Sequence, residues 1–233
     1  MNIAIYFKTR PESMLANPLW IALLKRWISE ERKKVIMPQR ESVLILKKRE
    51  DFIAAIEAKD PRDFIFIDES GSDTTETSEF GRVEGGGRLN APKPAGTWKR
   101  FTIIGAISLL GVVAMMYGEW ATDSNAFIAF VKNCLLKTLK KGQIVFLDNA
   151  KFHKPKIIQE LIKSADAKVV FLPPYSPDLS PIEKMWSKIK HYIKKSAPRN
   201  SSDFHKALVF ALSKLEEDDF EEWYEACGYE VVY

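Results

Sequence analysis

The chain has 233 residues and is 46% hydrophobic, which is enough to bury a substantial core and excludes a disordered chain. Basic residues exceed acidic ones only by 35 to 31, so net charge identifies no nucleic-acid partner and the placement of charge has to decide that question. Two distant cysteines and three histidines argue against a disulfide framework or a zinc site, and for free thiols in a reducing compartment.

Residues 1–60 read as a basic arm. Helices are predicted over 18–31, where Leu19, Leu23 and Trp27 fall at helical spacing, and over 50–59. The arm is too small for a core of its own and reads as a remnant of a DNA-binding region with its linker. Met1–Tyr6 lacks the basic start and long apolar stretch of a signal peptide. Phe64–Asp68 is apolar at successive positions, as in a strand covered on both faces. Residues 70–98 are rich in Gly, Ser, Thr and Pro and predict a long excursion. Two strands follow, over 100–110 and 111–119. The apolar stretch Ile103–Tyr117 is shorter than the ~20 residues of a membrane span and is broken by Gly105 and Gly111, so a soluble cytoplasmic protein is expected.

A helix capped by Asp123 or Ser124 is predicted to run to Lys140–Lys141 and stop at Gly142. Gln143–Asp148 is the next strand, Lys154–Ala165 a helix and Lys168–Leu172 the fifth strand. Pro173, Pro174, Pro177 and Pro181 stiffen the connection into a helix over 181–195, whose buried stripe is Ile182, Met185, Trp186, Ile189 and Ile193; another helix covers 203–215, and the acidic run Glu216–Asp219 with Glu221 and Glu222 follows. The order is three strands, helix, strand, helix, strand, helix. It predicts an α/β fold with a mixed sheet and helices on both faces. The divisions are the arm (1–60), a catalytic domain (61–200) and a C-terminal helical extension (201–233).

Three carboxylates carry the candidate chemistry. Asp68 closes FIFID and Asp148 closes IVFLD, and in open α/β sheets active sites gather at the carboxyl ends of strands. An Asp that ends a strand is also a common turn residue. Glu183 lies 34 intervening residues after Asp148, in the first turn of the 181–195 helix. There it fits equally a capping box with Ser180. Asp178 is a rival third ligand, but its proline-flanked turn favours a turn role. Glu69 should point away from Asp68, because successive strand residues face opposite sides. Two strand-end aspartates and one helix-borne glutamate are suited to holding two Mg²⁺ ions, with Mn²⁺ as substitute, for phosphodiester cleavage. His153 either orients a catalytic group or has a structural role, and Asn149 either binds substrate or braces the turn. Residues 184–199 carry five lysines and Arg199 with no acidic residue. Lys190 and Lys194 share a face with Glu183 and are candidate phosphate contacts, as are Arg82 and Arg88 in the long excursion. Gly85–Gly87 lacks the lysine and helix of a P-loop, and no Ser-His-Asp triad is present.

The segments IDES at Asp68, FGRVEGGGR at 80–88, TIIGAIS at 102–108, FLDNAKFHK at 146–154 and LPPYSPDLSPIEKMW at 172–186 resemble the DDE endonuclease domain of the mariner-like bacterial insertion-sequence transposases. The resemblance implies a ribonuclease H-like fold, Asp68, Asp148 and Glu183 as the metal-binding triad, and cleavage and strand transfer on double-stranded DNA at terminal inverted repeats and target. It further implies a homodimer on DNA. The family usually carries helix-turn-helix modules before the catalytic domain, so a separately encoded or frameshift-fused segment is a candidate partner. The family often has Asn where Ser180 stands. Two other readings stay open: another ribonuclease H-like nuclease of resolvase type, and an inactive DNA-binding remnant.

Overall fold

Five strands form one mixed sheet in the order β3-β2-β1-β4-β5. The computed structural model describes residues 42–76, 98–150, 153 and 155–230, all within one unit spanning 39–233. Strand β1 is Phe64–Asp73, β2 Arg100–Ser108, β3 Gly111–Gly118, β4 Ile144–Leu147 and β5 Lys168–Phe171. β1, β2 and β3 pair antiparallel, while β1–β4 and β4–β5 pair parallel. The order of elements is the one the sequence implies. The suspect stretch Ile103–Tyr117 is the β2–β3 hairpin, and among the described residues no helix is long and apolar enough to cross a membrane.

The alternation within β1 and β4 divides the interior into two layers. Phe64, Phe66, Ile144 and Phe146 join one cluster, and Ile65, Ile67, Val145 and Leu147 join the other. On the second face lie α2 (Ser124–Asn133) and α3 (Lys156–Ser164), contributing Phe127, Phe130, Val131, Ile158 and Ile162. The first face is covered by α1 (Val43–Ile56), α4 (Ile182–Ser196), α5 (Ser201–Leu212) and α6 (Glu217–Glu225). Phe52 and Ile56 of α1 and Phe204, Leu208, Phe220 and Tyr224 of α5 and α6 lie in that same cluster. Helices at both ends of the described chain therefore complete the core around β1, and Tyr224 donates a hydrogen bond to the Phe64 carbonyl at 3.1 Å.

Several boundaries differ from expectation, each for a physical reason. β1 runs five residues past Asp68 because Glu69–Asp73 pair with Ile104–Arg100 of β2, and this pairing outweighs the weak strand propensity of Ser and Gly. α2, capped by Asp123 as expected, stops at Asn133 instead of reaching Lys141. Asn133, Cys134 and Thr138 are poor helix formers, and a 3₁₀ turn over Leu135–Lys137 buries Leu135 instead. The second arm helix spans 43–56 rather than 50–59, with Ser42 capping it. The acidic run forms most of α6, within the expected helical extension. Glu217, Asp218 and Asp219 occupy its first turn, where the helix dipole favours them, and Phe220 and Tyr224 supply the buried face. The predicted helix over 18–31 and candidate contacts Arg82 and Arg88 lie outside the described residues.

Candidate active site

The register of β1 and β4 fixes where two of the carboxylates stand. Phe64 pairs with Ile144 and Phe66 with Phe146, so Asp68 and Asp148 are opposite one another just beyond the last parallel pair. β4 ends at Leu147 while β1 continues beside β2, which leaves a notch at this edge. Both aspartates share the alternation of Phe66 and Phe146, the residues that face α4. Glu183 enters the same space from the first turn of α4. Asp68, Asp148 and Glu183 together line a cavity of about 400 Å³, walled by Ile67, Asn149, Ser180 and the proline loop 172–177.

No side chain caps α4, so the capping-box reading of Ser180 and Glu183 is not realised. Pro181 starts the helix with helical backbone angles, and Ser180 is buried beneath it. The rival ligand Asp178 is engaged elsewhere. Arg49 of α1 binds its Oδ2 at 2.6 Å and reaches Ser176 Oγ at 2.5 Å, tying the proline loop to α1. Asn149 also braces this loop by donating its side-chain N–H to the Leu172 carbonyl. Tyr175 takes a left-handed backbone conformation, φ 56°, at the cavity wall.

Negative charge is concentrated here. Burial pushes the Asp68 carboxyl up to about 8, and repulsion from Glu183, Glu69 and Asp148 adds to it, while a backbone hydrogen bond from Glu69 opposes. Burial likewise raises Glu183, with Lys190 pulling it down and Asp148 pushing it up. Lys190 therefore acts on the carboxylate with which it shares a helix face. All-oxygen donors with mutual repulsion fit a hard divalent cation. Among the described residues no three His, Cys, Asp or Glu side chains form a ready metal cage. An open set of carboxylates still suits Mg²⁺, which keeps several waters and completes its shell with substrate phosphate.

Two contacts set the aspartates in place. His153 is fully buried, with Nδ1 2.6 Å from Asp148 Oδ1 and Nε2 2.7 Å from Glu69 Oε1. Burial alone would lower its pKa, but the bonds to the two carboxylates outweigh it and bring the ring to about 9. His153 is thus a charged bridge from Asp148 to Glu69, packed on Phe127 with ring centres 4.3 Å apart. Glu69 does point away from Asp68, yet it anchors the histidine that holds Asp148. On the other side, Trp186 Nε1 donates to Asp68 Oδ2 at 3.0 Å. Sequence reasoning placed Trp186 in a buried stripe and missed this bond. The Asp-Glu pair at the end of an apolar run was the one available signal for Glu69.

The basic face of α4 is only partly available to a ligand. Lys188 is paired with Asp219 of α6 at 2.5 Å, and Lys99, just before β2, is paired with Glu119 at 2.9 Å. Lys194 is exposed in the last turn of α4 and Lys190 is half-buried nearer Glu183.

A family model described as DDE superfamily endonuclease matches residues 63–205. Among solved structures, the chain is similar to the Mos1 transposase paired-end complex with left transposon end, at TM-score 0.65 and 14% identity over 89% of this chain and 69% of that one. The mariner Mos1 paired end complex with Mg gives 0.64 and 14% over 91% and 72%. The catalytic domain of Mos1 mariner transposase gives 0.56 and 13% over 82% and 94%. No curated protein matches the chain. The sheet order, the helices on both faces and these similarities make the fold ribonuclease H-like. The match over 63–205 takes in the whole sheet and all three carboxylates of the cavity, and the chain belongs to the DDE superfamily of endonucleases.

Proposed function

We propose that this chain is the catalytic part of a transposase, performing metal-dependent cleavage of DNA and strand transfer at the ends of an insertion sequence. The observation that carries the reading is the convergence of Asp68, Asp148 and Glu183 on one cavity, from two adjacent strand edges and a helix start. Solved structures of the same fold include complexes with transposon ends, one of them with Mg.

In this reading Asp68, Asp148 and Glu183 hold two Mg²⁺ ions, with Mn²⁺ able to replace them. When bound, the ions supply Lewis acidity to the phosphate oxygens and lower the pKa of an attacking water or 3′-hydroxyl. The protein's part is placement. His153 and the Ala150 N–H hold Asp148 Oδ1, and the Asn149–Leu172 bond keeps the proline loop as one wall. Lys190 and Lys194, with Arg82 and Arg88 of the excursion, contact the phosphate backbone. Lys190 balances Glu183 before substrate arrives. Pairing two element ends calls for two copies, so a homodimer on DNA is expected. A separately encoded or frameshift-fused helix-turn-helix segment would supply recognition of the terminal repeats. The part of residues 1–60 that precedes α1 then serves as arm and linker, while α1 itself packs into the catalytic core.

The test is strand transfer of a labelled, pre-cut element end into plasmid with Mg²⁺ or Mn²⁺. Joined products that require the divalent ion are expected. Cutting without joining would favour a resolvase-type nuclease, and joining that persists in excess chelator would refute the reading.

A further inference from the structure

Trp186 is 3% exposed on α4, and the edge of its indole meets β2 at one point where a side chain is missing. A Cβ on Gly105 would come within 2.7 Å of its Cη2 and 3.1 Å of its Cζ2, closer than side-chain carbons approach. Gly105 is the register partner of Asp68 on the neighbouring strand. The indole therefore fills the space over Gly105 and reaches across one strand, ending with Nε1 3.0 Å from Asp68 Oδ2. Met185, fully buried on α4, also faces the open position at Gly105, with its Cε 3.5 Å from where a Cβ would stand. An indole is a donor only, so its partner at this point has to be an acceptor.

We propose that Trp186 is a positioning residue for Asp68: seated in the gap at Gly105, its N–H holds Oδ2 and fixes the orientation in which the carboxylate meets the divalent ion. The inference rests on the reading of Asp68 as a metal ligand. A partly buried aspartate next to Glu183 and Glu69 turns away from its neighbours unless a donor holds it, and Trp186 supplies that donor without adding charge. Carboxylates that ligate metals are commonly held in this way, and loss of the holding partner costs about 10–100-fold in metal affinity or activity.

The experiment uses the full chain and two substitutions. Trp186→Phe keeps an aromatic side chain and removes the N–H, together with part of the ring that fills the gap at Gly105. Gly105→Ala leaves the N–H and displaces the ring. The probe is Mn²⁺, followed by its free paramagnetic signal and by broadening of the indole N–H resonance that Trp186→Phe removes from the spectrum. The wild-type resonance is expected to broaden as Mn²⁺ binds. Both variants should bind Mn²⁺ about 10–100-fold more weakly and cleave with lower kcat at unchanged KM for DNA. Mn²⁺ affinity and kcat equal to wild type in Trp186→Phe would overturn the proposal alone and reduce Trp186 to packing. A wild-type protein that cleaves DNA while its Trp186 resonance ignores Mn²⁺ would overturn the metal reading of Asp68 as well.

Discussion

The bridge Asp148–His153–Glu69 makes stability depend on pH in a defined direction. His153 has no exposure and its pKa is raised from 6.5 to about 9. The folded protein thus holds this proton more tightly than the unfolded chain. The stabilisation is complete below about pH 6.5, where both states are protonated, shrinks as pH rises from there, and is gone above about 9. The rise from 6.5 to about 9 bounds the effect at roughly 3 kcal/mol, a large share of the stability of a domain this size. The assay is urea unfolding from pH 6 to 10 in EDTA, wild type beside His153→Gln, whose amide nitrogen can donate to a carboxylate but carries no charge. The difference between the two proteins isolates His153 from other titrating groups. It should fall by about 3 kcal/mol between pH 6 and pH 10, on top of a pH-independent packing difference. A difference that is flat with pH, or that grows towards high pH, would mean the ring is neutral in the fold, and the charged bridge would be refuted.

Three further outcomes are expected. Gly105→Ala should destabilise the protein by about 1–3 kcal/mol, read as a lower Tm by calorimetry, because the new methyl meets the Trp186 ring at 2.7 Å. Tyr224→Phe should cost about 1–3 kcal/mol in urea, since it strands the buried Phe64 carbonyl at the start of β1. Lys190→Ala should weaken DNA binding and lower the slope of log affinity against log salt by about 1, whereas Lys188→Ala should leave the slope unchanged because Asp219 already neutralises that lysine. Fluorescence anisotropy across a salt series distinguishes the two.

The parts of the fold that could be read from sequence are those where one periodicity governs. FIFID and IVFLD are apolar at every position before the aspartate because both faces of β1 and β4 are covered, and the same pattern puts that aspartate at equivalent points of two neighbouring strands. The helix over 182–196 was visible from Ile182, Met185, Trp186, Ile189 and Ile193, all buried. Pairing over distance was not visible. The overrun of β1 depends on β2, some thirty residues later in the chain, and nothing local in Glu69–Asp73 favours a strand. Glu69 and His153 are 84 residues apart, and alternation tells only that Glu69 leaves the Asp68 side, not what it meets there. Trp186 looked like core because it is core. Its second role follows from one N–H and one missing Cβ on another strand. That Lys188 is neutralised was not visible either, because it depends on α6, which brings Asp219 against it.

The measurement that tests the central claim most directly is nicking of labelled duplex DNA with Mn²⁺ by the wild type beside Asp68→Asn, Asp148→Asn and Glu183→Gln. Each substitution keeps shape and removes one ligand charge. The account predicts cleavage by the wild type that disappears in chelator, and loss of cleavage in all three variants with folded circular dichroism spectra. Wild-type rates in Asp148→Asn, or in either of the other two, would contradict it.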